Sequence, residues 1–141
     1  MNQPLLALLA WRVLWVAPCS AVGLVASLFV LLTGGSVRKV GHALECAVYP
    51  NECTPHSMLR RLPFAAITLG HVIVGVSHAE LARLREHELV HVRQYEKLGV
   101  LFFVAYPLAS LVAWLSGRCP YRGNRYEVQA FDHVAVHDDA A

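Results

Sequence analysis

The chain has 141 residues, enough for one small domain or for a smaller one joined to a membrane segment. Its hydrophobic share of 56% lies above the soluble norm and its charged share of 16% below it, which points towards membrane association. A net charge of +2, with the basic residues scattered, gives no support to a nucleic-acid partner.

Residues 13–32 run for 20 residues without a charge. As a helix they would rise about 30 Å, the thickness of a hydrocarbon core. Pro18 and Gly23 are tolerable in such a helix. A cleaved signal peptide is the competing reading. It fits less well, because Met1-Asn2-Gln3-Pro4 carries no basic residue ahead of a long apolar run. The reading preferred is a retained N-terminal membrane helix, ended by Thr33-Gly34-Gly35-Ser36. Residues 1–36 then form an anchor and residues 37–141 a minimal second domain. Arg38 and Lys39 after the span, against Arg12 and the amino terminus before it, lean slightly towards a cytoplasmic face for the rest of the chain.

Ala43-Leu44-Glu45-Cys46-Ala47-Val48 is short, ends in turn residues and reads as a strand. Cys46 and Cys53 bracket Tyr49-Pro50-Asn51-Glu52, where either a disulfide or two free thiols would fit. No CxxC pair is present, so neither a cysteine zinc site nor a thioredoxin-like centre is supported. Residues 65–76 are rich in β-branched side chains and punctuated by glycine. They read as one bent strand or as a tight hairpin turning near Gly70, in preference to a membrane helix.

Next comes a helix that begins with a capping box, Ser77 with Glu80, and stops at Gly99. Leu81, Leu84, His91 and Tyr95 fall near one stripe of it, with Glu88 between them. Within it lies His87-Glu88-Leu89-Val90-His91, an HExxH pattern. Residues four apart share a helix face, so the two imidazoles can converge on one ion. Glu88 follows His87 by about 100° of helix turn, where its carboxylate can act on a water activated by that ion.

Residues 100–116 form a second apolar run, at the lower limit of a spanning length and carrying Pro107 near the middle. A single crossing would place everything after Gly117 on the opposite side from HELVH. The run is therefore a re-entrant or interfacial hairpin broken at Pro107, or a buried core helix, or else no downstream residue is a ligand. A final helix starts at Asn124 and extends through His133 or beyond. A catalytic zinc takes three protein ligands and keeps one position open, so a third ligand is needed. Glu127 is the main candidate, with Asp132 and His133 behind it. Its structural alternative is the acidic half of a capping box with Asn124. His133 and His137 also stand four apart, a spacing common as surface decoration.

His87-Glu88-Leu89-Val90-His91, followed by Gln94 and Tyr95 and then by Tyr126-Glu127-Val128-Gln129-Ala130 and Asp132, resembles the gluzincin metallopeptidases, in particular their small or membrane-bound members. The resemblance covers residues 65–132. It implies that His87, His91 and Glu127 bind one Zn2+ ion and that Glu88 is the general base and acid. It also implies that a strand within residues 65–76 lines the cleft and pairs with an extended peptide or protein substrate. One departure is visible: many gluzincins carry an aspartate four residues after the ligand glutamate, where this chain has Phe131, with Asp132 one further on. Tyr95, Tyr121, Tyr126 and His133 are candidate donors to the oxyanion.

The fold expected is α+β and mostly helical. It has an N-terminal transmembrane helix, a small antiparallel β element packed on the HExxH helix, a re-entrant or interfacial apolar helix and a C-terminal helix. The function expected is a membrane-anchored zinc metallopeptidase whose partners are a peptide substrate and the lipid bilayer. The alternative is a membrane-embedded metal-binding or assembly protein without hydrolysis.

Overall fold

The computed structural model describes residues 3–49 and 65–138. Helix α1 (Gln3–Leu32) leads into strands β1 (Ser36–Val40) and β2 (Ala43–Ala47). Strands β3 (Ala66–Leu69) and β4 (Val72–Gly75) come next, followed by helix α2 (His78–Leu98) and a single 3-10 turn at Gly99–Leu101. Helices α3 (Phe102–Leu115) and α4 (Arg125–Asp138) complete the chain, giving a mixed α+β architecture.

The four strands form one sheet in the order β1-β2-β4-β3. β1–β2 and β3–β4 are antiparallel hairpins, and the second turns at Gly70-His71, with Gly70 at φ +64°. The hairpin option for residues 65–76 is the one realised. A parallel pairing of β2 with β4 joins the two hairpins, with Glu45 opposite Ile73. The sheet is thus larger than the small antiparallel element expected, and it is mixed. β1 uses Arg38 and Lys39, residues that read in the sequence as charges flanking a membrane span.

Strand alternation sends side chains to opposite faces, and each face meets a helix. Cys46, Val72 and Val74 pack with Val30 of α1, whereas Ala43, Ala47 and Ile73 pack with Leu81 and Val92 of α2. Glu45 also points to the α2 side, fully buried, and is held by Arg85 at 2.7 Å and by its cross-strand neighbour Arg38 at 3.0 Å.

α1 does not stand apart from this body. Val16, Cys19, Gly23, Ser27 and Val30 form a buried stripe at helical spacing, while Leu14, Val25, Leu28, Phe29 and Leu32 on its other faces are exposed. A Cβ on Gly23 would come within 2.6 Å of the Val72 Cβ, so glycine is what lets the helix lie directly on the β3–β4 hairpin. Cys46 is a free, buried thiol bonded to Ser27 of α1 at 2.9 Å; its sequence partner Cys53 lies outside the described residues.

Ser77 caps α2 by accepting a bond from the Glu80 backbone N–H at 3.2 Å. The reciprocal half of the capping box is absent, because the Glu80 carboxylate pairs with Arg83 at 2.7 Å instead. α2 ends at Gly99, whose φ of +55° opens a corner. Fifteen further residues of straight helix would put Tyr106 about 22 Å beyond His91. The two rings instead lie 6.1 Å apart, so α3 folds back along α2. Gly117 then reverses the chain in a Schellman motif, with Arg118 N–H on Ala113 O and Gly117 N–H on Trp114 O, both at 2.9 Å. Two stretches, Leu14–Leu32 and a window within His78–Leu115, are apolar enough to cross a membrane.

Candidate metal centre

Asn124, the residue before α4, is fully buried and serves both α3 and α4. Its side-chain oxygen accepts from Tyr126 N–H at 2.9 Å, capping α4. Its amide donates to Tyr106 O at 3.1 Å and to Ser110 Oγ at 2.8 Å, pinning α4 to α3. With the cap supplied by Asn124 itself, the Glu127 carboxylate is not used for capping and turns inwards.

There it meets the two histidines of HELVH, 36 residues or more upstream. His87 Nε2 lies 3.0 Å from Glu127 Oε2, His91 Nε2 lies 3.3 Å from Glu127 Oε1, and the two Nε2 atoms are 3.2 Å apart. All three residues are buried, and they form the group of His, Cys, Asp or Glu side chains among the described residues that could hold a metal ion. Burial pushes the Glu127 carboxyl up, but hydrogen bonds from His87, His91 and Tyr106 outweigh it and hold the group well below the usual carboxylate range. An anionic oxygen facing two ring nitrogens is a donor set for a divalent cation.

The surroundings fix each ligand. His91 Nδ1 lies 2.8 Å from Gln94 Oε1. The Gln94 amide is spent on Tyr126 O at 3.0 Å and Gln129 Oε1 at 2.8 Å, so its oxygen is turned to the ring. That contact puts a proton on Nδ1, so an ion that displaces the proton shared between Nε2 and Glu127 would meet the Nε2 lone pair. Tyr106 donates to Glu127 Oε1 at 2.5 Å. Phe131, four residues after Glu127, packs on His87 with centroids 4.7 Å apart. Asp132, one residue further on, is exposed.

Glu88 is buried beside the cluster, with Oε2 accepting from Thr68 Oγ1 at 2.7 Å. Thr68 belongs to β3, which is an edge of the sheet. His87, Glu88, His91 and Glu127 all line one cleft of about 780 Å³, whose walls are β3, α2, α3, α4 and the turn bearing Tyr121 and Arg122.

The structure sorts the remaining candidates. Tyr121 lines the cleft half exposed, and burial together with the Glu127 charge pushes its hydroxyl up to about 12. Tyr95 also lines the cleft but is buried against Phe102. Tyr126 stacks on Tyr106 in the helix interface. His133 lies 3.3 Å from Arg93 on an exposed flank, and the His137 side chain lies outside the described residues. Thr68 and Tyr106 escape sequence reasoning, as does the role of Gln94. Each acts through a residue that is distant in the chain or appears there only as part of a longer pattern. No family model, curated protein or solved structure matches the chain.

Proposed function

We propose that this protein is a membrane-anchored zinc metallopeptidase in which His87, His91 and Glu127 hold one zinc ion and Glu88 is the general base. The observation that carries the reading is the return of Glu127 to HELVH, beside a buried Glu88, in a cleft bordered by an edge strand. Tetrahedral zinc with ligands at about 2.0–2.1 Å needs donor atoms about 3.3–3.4 Å apart. The two Nε2 atoms, 3.2 Å apart, are close to that size, and each has one of the two Glu127 oxygens at 3.0 or 3.3 Å, so that one donor atom from each residue falls within 4.8 Å of the others.

Zinc in such a site supplies a Lewis acid that acidifies a water and polarises a carbonyl. The chain's own groups do the rest. Glu88 takes the proton from the attacking water and returns it to the leaving amine, held in position by Thr68. Among the described residues β3 is an edge of the sheet, whose outer side would offer backbone donors and acceptors to an extended peptide. Tyr121 keeps its proton at neutral pH, so it can donate to the oxygen that turns negative. The exposed apolar faces of α1 and α3 support the membrane part of this reading.

A second reading, a membrane-embedded metal-binding or assembly protein without hydrolysis, is favoured by one contact. Phe131 stands against His87 where a carboxylate would raise the ligand's basicity. Zinc content and peptide hydrolysis separate the two. Wild type is expected to bind one zinc, His87→Ala and Glu127→Ala to lose it, and Glu88→Gln to keep it while losing hydrolysis. Zinc retained in full by Glu127→Ala overturns the three-ligand site. Zinc-loaded wild type no more active than Glu88→Gln leaves the second reading standing.

A further inference from the structure

The cleft lining says which substrates it takes once the groups already engaged are set aside. Glu88 and Glu127 are committed to the proposed chemistry, and Arg83 is paired with Glu80 at 2.7 Å. Arg122 stacks on Phe131, 5.2 Å from its centroid. Much of what remains is aromatic or aliphatic, with Leu84 from α2, Phe102, Phe103 and Pro107 from α3, and Phe131 from α4. Such a surface gains from an apolar side chain, and Arg122, stacked on Phe131, is its one cation without a carboxylate partner among the described contacts.

α3 also has a second face. Val104, Leu108, Leu111, Val112 and Leu115 follow one another at helical spacing and are between 47% and 70% exposed. The sequence from Gly99 to Tyr126 holds Arg118, Arg122 and Arg125 but no acidic residue, a composition suited to the headgroup level of a membrane. One helix thus walls the cleft on one side and shows aliphatic side chains to its surroundings on another, so the cleft opens beside that apolar surface.

We infer that the cleft binds an extended polypeptide segment with a large apolar residue next to the metal cluster, presented from a membrane-associated protein. The inference rests on the peptidase reading for the fate of the bound segment, and not for the binding itself.

The test uses full-length Glu88→Gln protein in lipid nanodiscs. Two fluorescein-labelled peptides are titrated by anisotropy, identical except for a central Leu-Phe or Ser-Asn. The Leu-Phe peptide is expected to bind at least about tenfold more tightly, as one buried apolar side chain provides. Phe103→Gln and Leu84→Gln, on two different helices, are each expected to narrow that ratio. Attaching the Leu-Phe peptide to the same nanodiscs through a palmitoyl chain is expected to tighten binding further. Equal affinity for the two peptides overturns the inference, as does displacement of both by a labelled fatty acid that fills the cleft. Preferential binding without hydrolysis by the wild type removes the peptidase and leaves an apolar-peptide receptor. Hydrolysis of both peptides at equal rates does the reverse.

Discussion

Tyr106 donates a 2.5 Å hydrogen bond to Glu127, so a helix with an exposed aliphatic face directly orients the carboxylate that closes the metal cluster. The tyrosine ring is itself packed against Phe102 and stacked on Tyr126. Tyr106→Phe removes the donor and keeps the packing. It is expected to weaken zinc binding by about tenfold, at the lower end of what outer-shell partners contribute, with little change in thermal stability. Competition with a chromogenic chelator measures it.

Gln94 fixes the His91 tautomer from the other side of the cluster. Gln94→Leu leaves the imidazole free to turn, its Nδ1–H without an acceptor, and removes the side-chain donor to the Tyr126 carbonyl. Zinc affinity is expected to fall by about 10- to 100-fold, and stability by on the order of 1–3 kcal/mol for the polar group left unpaired. Gln94→Glu keeps an acceptor for Nδ1–H and is expected to recover most of the affinity. Chelator competition and thermal unfolding of the two variants read the two effects separately.

Acid stability is expected to follow Glu45. Burial pushes its carboxyl up, but Arg85 and Arg38 outweigh burial and hold it below its ordinary value. A folded-state pKa below the unfolded one contributes stability above the unfolded value and loses it as pH falls through the folded one. The melting temperature should therefore drop below about pH 4.5, and that acid limb should flatten in Glu45→Gln. At neutral pH the substitution is expected to destabilise by on the order of 2 kcal/mol. That is less than a fully enclosed pair would lose, because Arg85 and Arg38 are 31% and 42% exposed and water can take up their charge.

Gly23 tests whether α1 is part of the folded body. Gly23→Leu forces the helix off Val72 and Leu69, at about 1–3 kcal/mol or more for the overpacking. The melting temperature of the whole protein should fall. A detached anchor would leave it unchanged.

The legible parts of this chain were those written in short spacings. HELVH needs one helical turn, Ser77 announces α2, and Gly70 marks the hairpin turn within twelve β-rich residues. The sheet was harder, because its central pairing sets Leu44 beside Val72, and no local pattern encodes a parallel partner 28 residues away. The packed stripe of α1 left no amphipathic signature, since nearly every residue of that helix is apolar. Its trace is the size pattern Cys19, Gly23, Ser27, small residues four apart. Tyr106 was hidden for a similar reason: in an apolar run it reads as one more large ring, and its purpose depends on a carboxylate 21 residues later. Phe131 shows the opposite case, an absent aspartate that was visible in the sequence, though not the aromatic contact that replaces it.

The corner at Gly99 and the reversal at Gly117 also impose an order of assembly. Two histidines one turn apart exist as soon as α2 forms, whereas the carboxylate arrives only when α3 has folded back and Asn124 has docked on it. A half-made chain therefore has a weak, two-point grip on an ion and no closed cluster, and tight metal capture marks the finished molecule. In a cell this order would keep the proposed metal site open until the apolar helix has been put in place.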